Sequence, residues 1–229
     1  MIGWIIVGTS VTAAAFHLYA AGVSPFTALV QRPVHLALMA TLGFLGVGVQ
    51  FHQRSRKTGG LDQESGPPRI GPLNWVLAGL SVLACLYLAS ENQELVSRSG
   101  NPTPLDLVAG GVMVVLVLEL ARRATGWGLV TVCIMALAYA FSGPYLPGFL
   151  AHRGYGATRI VEQLFLSTEG IWGVPLGVSA DFVYLFVLFG VVLDTAGGGA
   201  LLIALANKVA GKTRGGPAKT AAVASAFMG

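Results

Sequence analysis

One long apolar stretch constrains the fold of this chain more than any other feature. Residues 171–193 carry a single charged side chain, Asp181. At about 1.5 Å per helical residue, a helix of this length spans a hydrocarbon core of roughly 30 Å. The stretch begins with Gly173, Pro175 and Gly177, which interrupt a helix. Because lipid cannot satisfy freed backbone groups, this start indicates backbone that is covered by protein or lines a cavity, as transporter binding sites do.

The composition excludes an ordinary water-soluble domain. The chain is 54% hydrophobic and only 10% charged, whereas soluble domains carry about 25% charged residues. The net charge of +4 does not indicate nucleic-acid binding, because the basic residues lie between apolar runs and form no stripe.

Five further apolar runs are long enough to be membrane helices, and they lie at residues 2–21, 34–51, 73–90, 105–121 and 127–141. Ser24-Pro25 and Arg32-Pro33 are expected to bound a short connection between the first two, and residues 91–104 to form a polar loop. Residues 52–72 are rich in charge, Gly and Pro, and they predict a flexible linker. Short interfacial helices are predicted at residues 159–166 and 200–210, and a further apolar run begins after Pro217. The predicted fold is an all-α integral membrane protein with about six transmembrane helices, interfacial helix structure and the start of a further helix.

The distribution of Lys and Arg predicts the orientation. With the N-terminus in the cytoplasm and one crossing per helix, the outer segments hold only Arg32, Arg98, Arg153 and Arg159. The inner segments hold all the others, namely Arg54, Arg56, Lys57, Arg69, Arg122, Arg123, Lys208, Lys212, Arg214 and Lys219. This excess agrees with the positive-inside rule and predicts that both ends are cytoplasmic.

No group of residues indicates an enzyme. Cys85 and Cys133 lie inside apolar runs with no second cysteine or histidine at ligand spacing, which favours two small buried hydrophobes. We find no cluster of nucleophile, base or metal ligands.

Four motifs in order carry a resemblance to a known family: GNPTPLDLV, FSGPYLPGFLAHRGY, TEGIWGVPLGVSADFVYLFVLFG and RGGPAKTAAVASAFMG. They resemble the fused membrane subunit of tripartite ATP-independent periplasmic (TRAP) transporters of the TAXI type. The resemblance covers nearly the whole chain and is weakest before residue 72. The last motif ends inside a rising apolar run, so we expect the front portion of a transporter, without most of its transport part.

The resemblance implies a domain organisation and an activity. Residues 1–123 resemble the small four-helix part, residues 124–167 would form a connecting helix and a periplasmic loop, and residues 168–229 resemble the beginning of the large transport part. The family takes up organic acids or amino acids across the bacterial or archaeal cytoplasmic membrane. A cation gradient, often of sodium, drives uptake, and a periplasmic substrate-binding protein of the TAXI type delivers the substrate. No other cofactor is implied.

Several residues are candidates for function. A carboxylate inside a membrane helix indicates a functional site by default, so Asp181 is a candidate for ion or proton binding. A helix start near Pro175 would instead make Asp181 a helix cap. Glu119 lies three and four residues before Arg122 and Arg123 and is expected to pair with them. Hinges are expected at Gly173, Pro175, Gly177, Gly197, Gly198, Gly215, Gly216 and Pro217.

The histidines leave one alternative open. His17 and His35 would lie at the same depth on neighbouring helices, and with His52 they permit a haem-binding electron carrier. A second alternative is a membrane scaffold that does not transport.

Overall fold

The computed structural model describes residues 2–46, 71–97, 100–210, 218–219, 221–222 and 225. Over these residues the chain is helical and contains no strand, which confirms the predicted all-α class. Helices α1 to α5 are Ile2–Gly22, Ala28–Phe44, Pro72–Ser97, Pro104–Thr125 and Trp127–Ser142. Helix α6 is Ala157–Val161 and continues as a π turn over Glu162–Leu166, α7 is Val174–Thr195, and α8 is Gly198–Ala210.

Five of the described helices are long and apolar enough to cross a membrane: α1, α3, α4, α5 and α7. The sixth expected crossing corresponds to α2, which has 17 residues and is not among the five. The expected end of that crossing at residue 51 and nearly all of the predicted linker lie outside the described residues. The chain is therefore an all-α protein with several candidate membrane-spanning helices.

Three predicted boundaries are wrong. Helix α2 begins at Ala28 and runs through Pro33, so Arg32-Pro33 does not bound the connection between α1 and α2. Pro33 lacks a backbone N–H and so removes one hydrogen bond near the start of the helix. Its side chain is fully buried. Helix α3 continues to Ser97 because residues 91–97 contain no helix breaker. Helix α4 continues four residues past the predicted end at residue 121 and stops before Gly126, whose φ is +87°.

The chain divides into two compact units, Met1–Asp181 and Phe182–Gly229. In the first unit α2 packs mainly on α3, with α1 on one side and the start of α7 on another. Its core includes the fully buried side chains of Phe44, Leu88 and Phe165. Gly110 on α4 allows Phe165 to approach, because a Cβ atom at Gly110 would lie 3.0 Å from the Cβ of Phe165.

The GNPTPLDLV motif forms the start of α4. The hydroxyl of Thr103 accepts a hydrogen bond from the backbone N–H of Asp106, and Asp106 Oδ2 accepts one from the backbone N–H of Thr103. This capping box satisfies two backbone donors at the helix start, and Pro104 follows at the first helical position. Tyr87 on α3 donates its hydroxyl hydrogen to Asp106 Oδ1 at 2.6 Å, which ties the start of α4 to α3.

The second unit contains the remainder of α7 and then α8. The turn between these helices is made by Gly197, whose φ of +82° favours glycine. The side chain of Leu193 lies against Gly198, the first residue of α8.

Candidate functional site

Three polar side chains of α2 contact the segment around the start of α7. Gln31 Nε2 donates a hydrogen bond to Asp181 Oδ1 at 2.6 Å. The guanidinium of Arg32 donates to the backbone carbonyl of Trp172, which is fully buried just before α7. His35 lies one turn beyond Gln31 and contacts the hydroxyl of Ser179 at 3.1 Å. These contacts place one face of α2 against α7, and we call the six residues involved the α2–α7 clamp.

A chain of hydrogen bonds extends the clamp to α1. His17 Nδ1 lies 2.7 Å from the carbonyl oxygen of Ala13, and His17 Nε2 lies 2.8 Å from His35 Nδ1. Both imidazoles are buried. A carbonyl oxygen can only accept, so His17 carries its hydrogen on Nδ1. For two neutral rings, His35 Nδ1 then donates to His17 Nε2, and His35 Nε2 accepts from Ser179. The chain of bonds therefore has one direction, from α7 through α2 to α1.

This geometry does not fit the haem alternative. His17 and His35 lie side by side on neighbouring helices, and their nitrogens contact each other directly. An iron held by two axial imidazoles would keep its two ligand nitrogens about 4 Å apart, twice a typical metal–nitrogen bond. His52 lies outside the described residues.

Asp181 lies in the third turn of α7, within a π-helical segment, Ser179–Val183. The effect of a helix dipole is greatest within the first turn, and the helix-cap interpretation of Asp181 stays a prediction. A π segment inside an α-helix is often found at functional sites. Asp181 is exposed on the first unit, and its ion or proton role stays a prediction.

The Gly/Pro start of the long stretch has a packing explanation. Gly173 precedes α7 and Pro175 is its second residue, where a proline is tolerated. Gly177 is buried under the guanidinium of Arg32, and a Cβ atom there would lie 2.8 Å from Arg32 Nη2. The absence of a side chain at Gly177 lets Arg32 reach Trp172. This supports the expectation of backbone covered by protein, whereas the hinge role of these residues stays a prediction.

The remaining predicted hinges lie in the second unit or beyond the described residues. Gly197 and Gly198 form the α7–α8 turn already described. Gly215, Gly216 and Pro217 fall outside the described part of the chain.

The structure brings Glu119, Arg122 and Arg123 together at the end of α4. The Glu119 carboxylate accepts from Arg122 at 2.7 and 2.8 Å and from Arg123 at 2.7 Å. Arg123 also donates to Asn74 Oδ1 on α3 at 2.9 Å. A partly exposed ion pair within one helix contributes little to stability. The hydrogen bond from Arg123 to Asn74 joins two helices, so it can help to fix the packing of α4 on α3.

Sequence reasoning missed Gln31, Arg32 and Ser179. The available signal was a Gln-Arg pair followed by His35 at helical spacing, which places polar groups on one face of an apolar helix. Among the described residues, no three His, Cys, Asp or Glu side chains come together as a metal site. Cys85 is buried and Cys133 is half-buried, and both are free thiols.

A comparison with protein families matches residues 112–229 to the tripartite ATP-independent periplasmic transporter, DctM component. The match spans just over half of the chain. The chain belongs to the DctM family. This is a family of transporter components, so the resemblance to TRAP permeases is confirmed at this level. The DctM match begins within α4 and includes Trp172, Ser179 and Asp181, whereas Gln31, Arg32 and His35 precede it. No match was found among curated proteins or among solved structures.

Proposed function

We propose that this chain is the membrane permease component of a secondary, binding-protein-dependent uptake system of the TRAP class. A periplasmic protein of the TAXI type would deliver the substrate, an organic acid or an amino acid. A cation gradient, such as that of sodium, would drive uptake. The observation that carries the proposal is the DctM match over residues 112–229.

The residues before the match fit the role of a fused small component. The α2–α7 clamp joins Gln31, Arg32 and His35, which precede the match, to groups inside it. In a membrane, polar side chains that hydrogen-bond between helices help to hold those helices together. We therefore propose that α1 and α2 form a scaffold that holds the start of α7. Residues 1–123 stay the predicted small part, and the last twelve of them, residues 112–123, overlap the DctM match.

Asp181 is the candidate for cation or proton coupling within the described residues. It is the one carboxylate between residues 171 and 193, and it lies in a π segment. Gln31 donates to only one of its carboxylate oxygens at hydrogen-bond distance, Oδ1. A carboxylate with remaining acceptor capacity can bind a hard cation or a proton.

The test is uptake by cells or proteoliposomes that contain the complete genomic reading frame of this protein and the binding protein encoded beside it. We expect uptake of labelled organic acids or amino acids that requires the binding protein and an inward cation gradient. A sodium gradient and a proton gradient would be imposed separately to identify the cation.

Two outcomes would contradict parts of the proposal. Uptake that is independent of the binding protein would exclude the TRAP mechanism. Absence of uptake for all substrates, with the binding protein still captured by the membrane protein, would favour the scaffold alternative. Asp181→Asn would test coupling, with Glu169→Gln as the control for loss of an acidic residue outside α7.

A further inference from the structure

The residues that follow α5 form a compact loop with exposed aromatic side chains. We call residues 143–155 the aromatic loop. It contains two single turns of 3₁₀-helix, Gly143–Tyr145 and Gly148–Leu150. Tyr145 is 89% exposed and Phe149 is 96% exposed, which are the two highest values among the large apolar side chains of the described residues.

Hydrogen bonds hold this loop against the end of α5. The ring nitrogen His152 Nε2 lies 3.1 Å from the carbonyl oxygen of Tyr139, and the hydroxyl of Tyr139 donates to the carbonyl of Leu150 at 3.2 Å. The backbone N–H of Tyr155 donates to the carbonyl of Ala140 at 3.0 Å. Gly143 has no side chain and leaves room for the imidazole of His152. These contacts give the loop a defined conformation, so Tyr145 and Phe149 are exposed on an ordered segment.

The position of the loop relative to α5 indicates what covers these rings. The candidate membrane span that contains α5 runs from Trp127 to Tyr145, so it ends within the first residues of the aromatic loop. Helix α5 exposes apolar side chains such as Val132 and Phe141, and the aromatic loop that follows it exposes Tyr145 and Phe149. Exposing a large apolar side chain to water costs about 1.5–3 kcal/mol relative to burying it.

We propose that the aromatic loop is an interfacial anchor that inserts Tyr145 and Phe149 into the boundary between lipid headgroups and acyl chains. Aromatic side chains are enriched at this depth of a bilayer. Arg153 is the only Lys, Arg, Asp or Glu in the loop, and its guanidinium lies 5.6 Å from the ring centroid of Tyr155. A guanidinium beside an aromatic ring at this depth can bind a lipid phosphate. The loop would then fix the depth and tilt of α5.

A lipid occupant fits these observations better than a protein occupant. The loop has no acidic side chain to specify a protein partner by charge, and its exposed rings lie at and just beyond the end of a candidate membrane span. Docking of a periplasmic protein on Tyr145 and Phe149 is the competing outcome of the test.

The experiment measures the depth of a nitroxide label at Phe149 in the full chain, reconstituted in vesicles of phosphatidylcholine with some phosphatidylglycerol. The label is attached in Phe149→Cys, with the two native cysteines replaced by alanine. Collision rates with oxygen, which enters the bilayer, are compared with those of a water-soluble nickel chelate. Val132→Cys on α5 is the control for a lipid-facing site, and Glu169→Cys is the control for a water-facing site.

We expect the label at Phe149 to collide severalfold less with the nickel chelate than the label at Glu169, and to lie shallower than the label at Val132. Tyr145→Cys should give the same result and serves as the second variant if Phe149→Cys fails to reconstitute. A label at Phe149 that is as accessible to the chelate as the label at Glu169 would overturn the proposal. This measurement involves no transport, so its failure leaves the proposed function intact.

Discussion

Three side chains on one face of α2 link regions of the sequence that are about 140 to 150 residues apart. Gln31, Arg32 and His35 are all polar, and each contacts a group in or just before the first half of α7. An apolar environment strengthens hydrogen bonds and offers no water to replace a lost partner. Removing one partner therefore leaves a polar group without a hydrogen bond, which lowers the stability of the fold. Single substitutions in the clamp should therefore have measurable effects.

The hydrogen-bond chain predicts the tautomers of two histidines. In ¹⁵N-histidine-labelled protein in lipid nanodiscs, we expect His17 and His35 to carry their hydrogens on Nδ1, as the direction of the chain requires. Nitrogen chemical shifts report the tautomer directly. Ser179→Ala removes the hydroxyl at His35 Nε2, so it should change the His35 nitrogen shifts and destabilise the fold by about 1–2 kcal/mol. Ser81→Ala is the control, because Ser81 bonds within α3 to Leu77. Nε2-protonated rings in the parent protein would contradict the prediction.

The close contact between Gly177 and Arg32 predicts that a larger residue at position 177 lowers the stability of the protein. In Gly177→Ala the new methyl group would meet the Arg32 guanidinium, so Arg32 must move away from the Trp172 carbonyl. We expect a loss of about 1–3 kcal/mol in the free energy of unfolding, measured by denaturant titration in bicelles. Gly190→Ala on the same helix has open space around its Cβ position and is the control. Equal stability of the two variants would show that the close approach at Gly177 has no energetic role.

Most helices could be predicted from the sequence because their apolar runs are long and their ends carry strong signals. The start of α4 is an example, since Thr103, Pro104 and Asp106 specify a capping box locally. The start of α2 could not be predicted, because Pro33 is a local stop signal that tertiary packing overrides. Pairing of α2 with α7 was also beyond sequence reasoning, since periodicity gives the face of a helix and not its neighbour.

Two adjacent glycines on α4 test how closely this helix packs. Gly110 faces Val161 and Phe165, whereas Gly111 has nothing within 4 Å of its Cβ position. We expect Gly110→Ala to destabilise the protein by about 1–3 kcal/mol because the extra methyl group overpacks the contact with α6 and its π turn. Gly111→Ala should be neutral or slightly stabilising, since alanine favours helix over glycine. The reverse order of stability would contradict the packing described for α4.

At the scale of the whole chain, charge distribution predicts topology. Residues 53–70 carry Arg54, Arg56, Lys57 and Arg69, and the positive-inside rule places them in the cytoplasm. Reporter fusions within this segment should be active with a cytoplasmic reporter and inactive with a periplasmic one. The opposite pattern would invert the predicted orientation of every crossing. The candidate cation site and the domain boundary at residue 123 stay predictions, because neither follows from packing within this chain.

The central claim is that α2, which precedes the DctM match, contacts α7 inside it. The most direct measurement is cross-linking of Gln31→Cys with Asp181→Cys by a short bifunctional thiol reagent in native membranes, with both native cysteines replaced by alanine. Thr41→Cys with Asp181→Cys is the control, because Thr41 lies about 15 Å further along α2. We expect efficient cross-linking of residues 31 and 181 and little cross-linking of residues 41 and 181. Equal cross-linking of both pairs, or none at residues 31 and 181 when both thiols react with a single-site reagent, would contradict it.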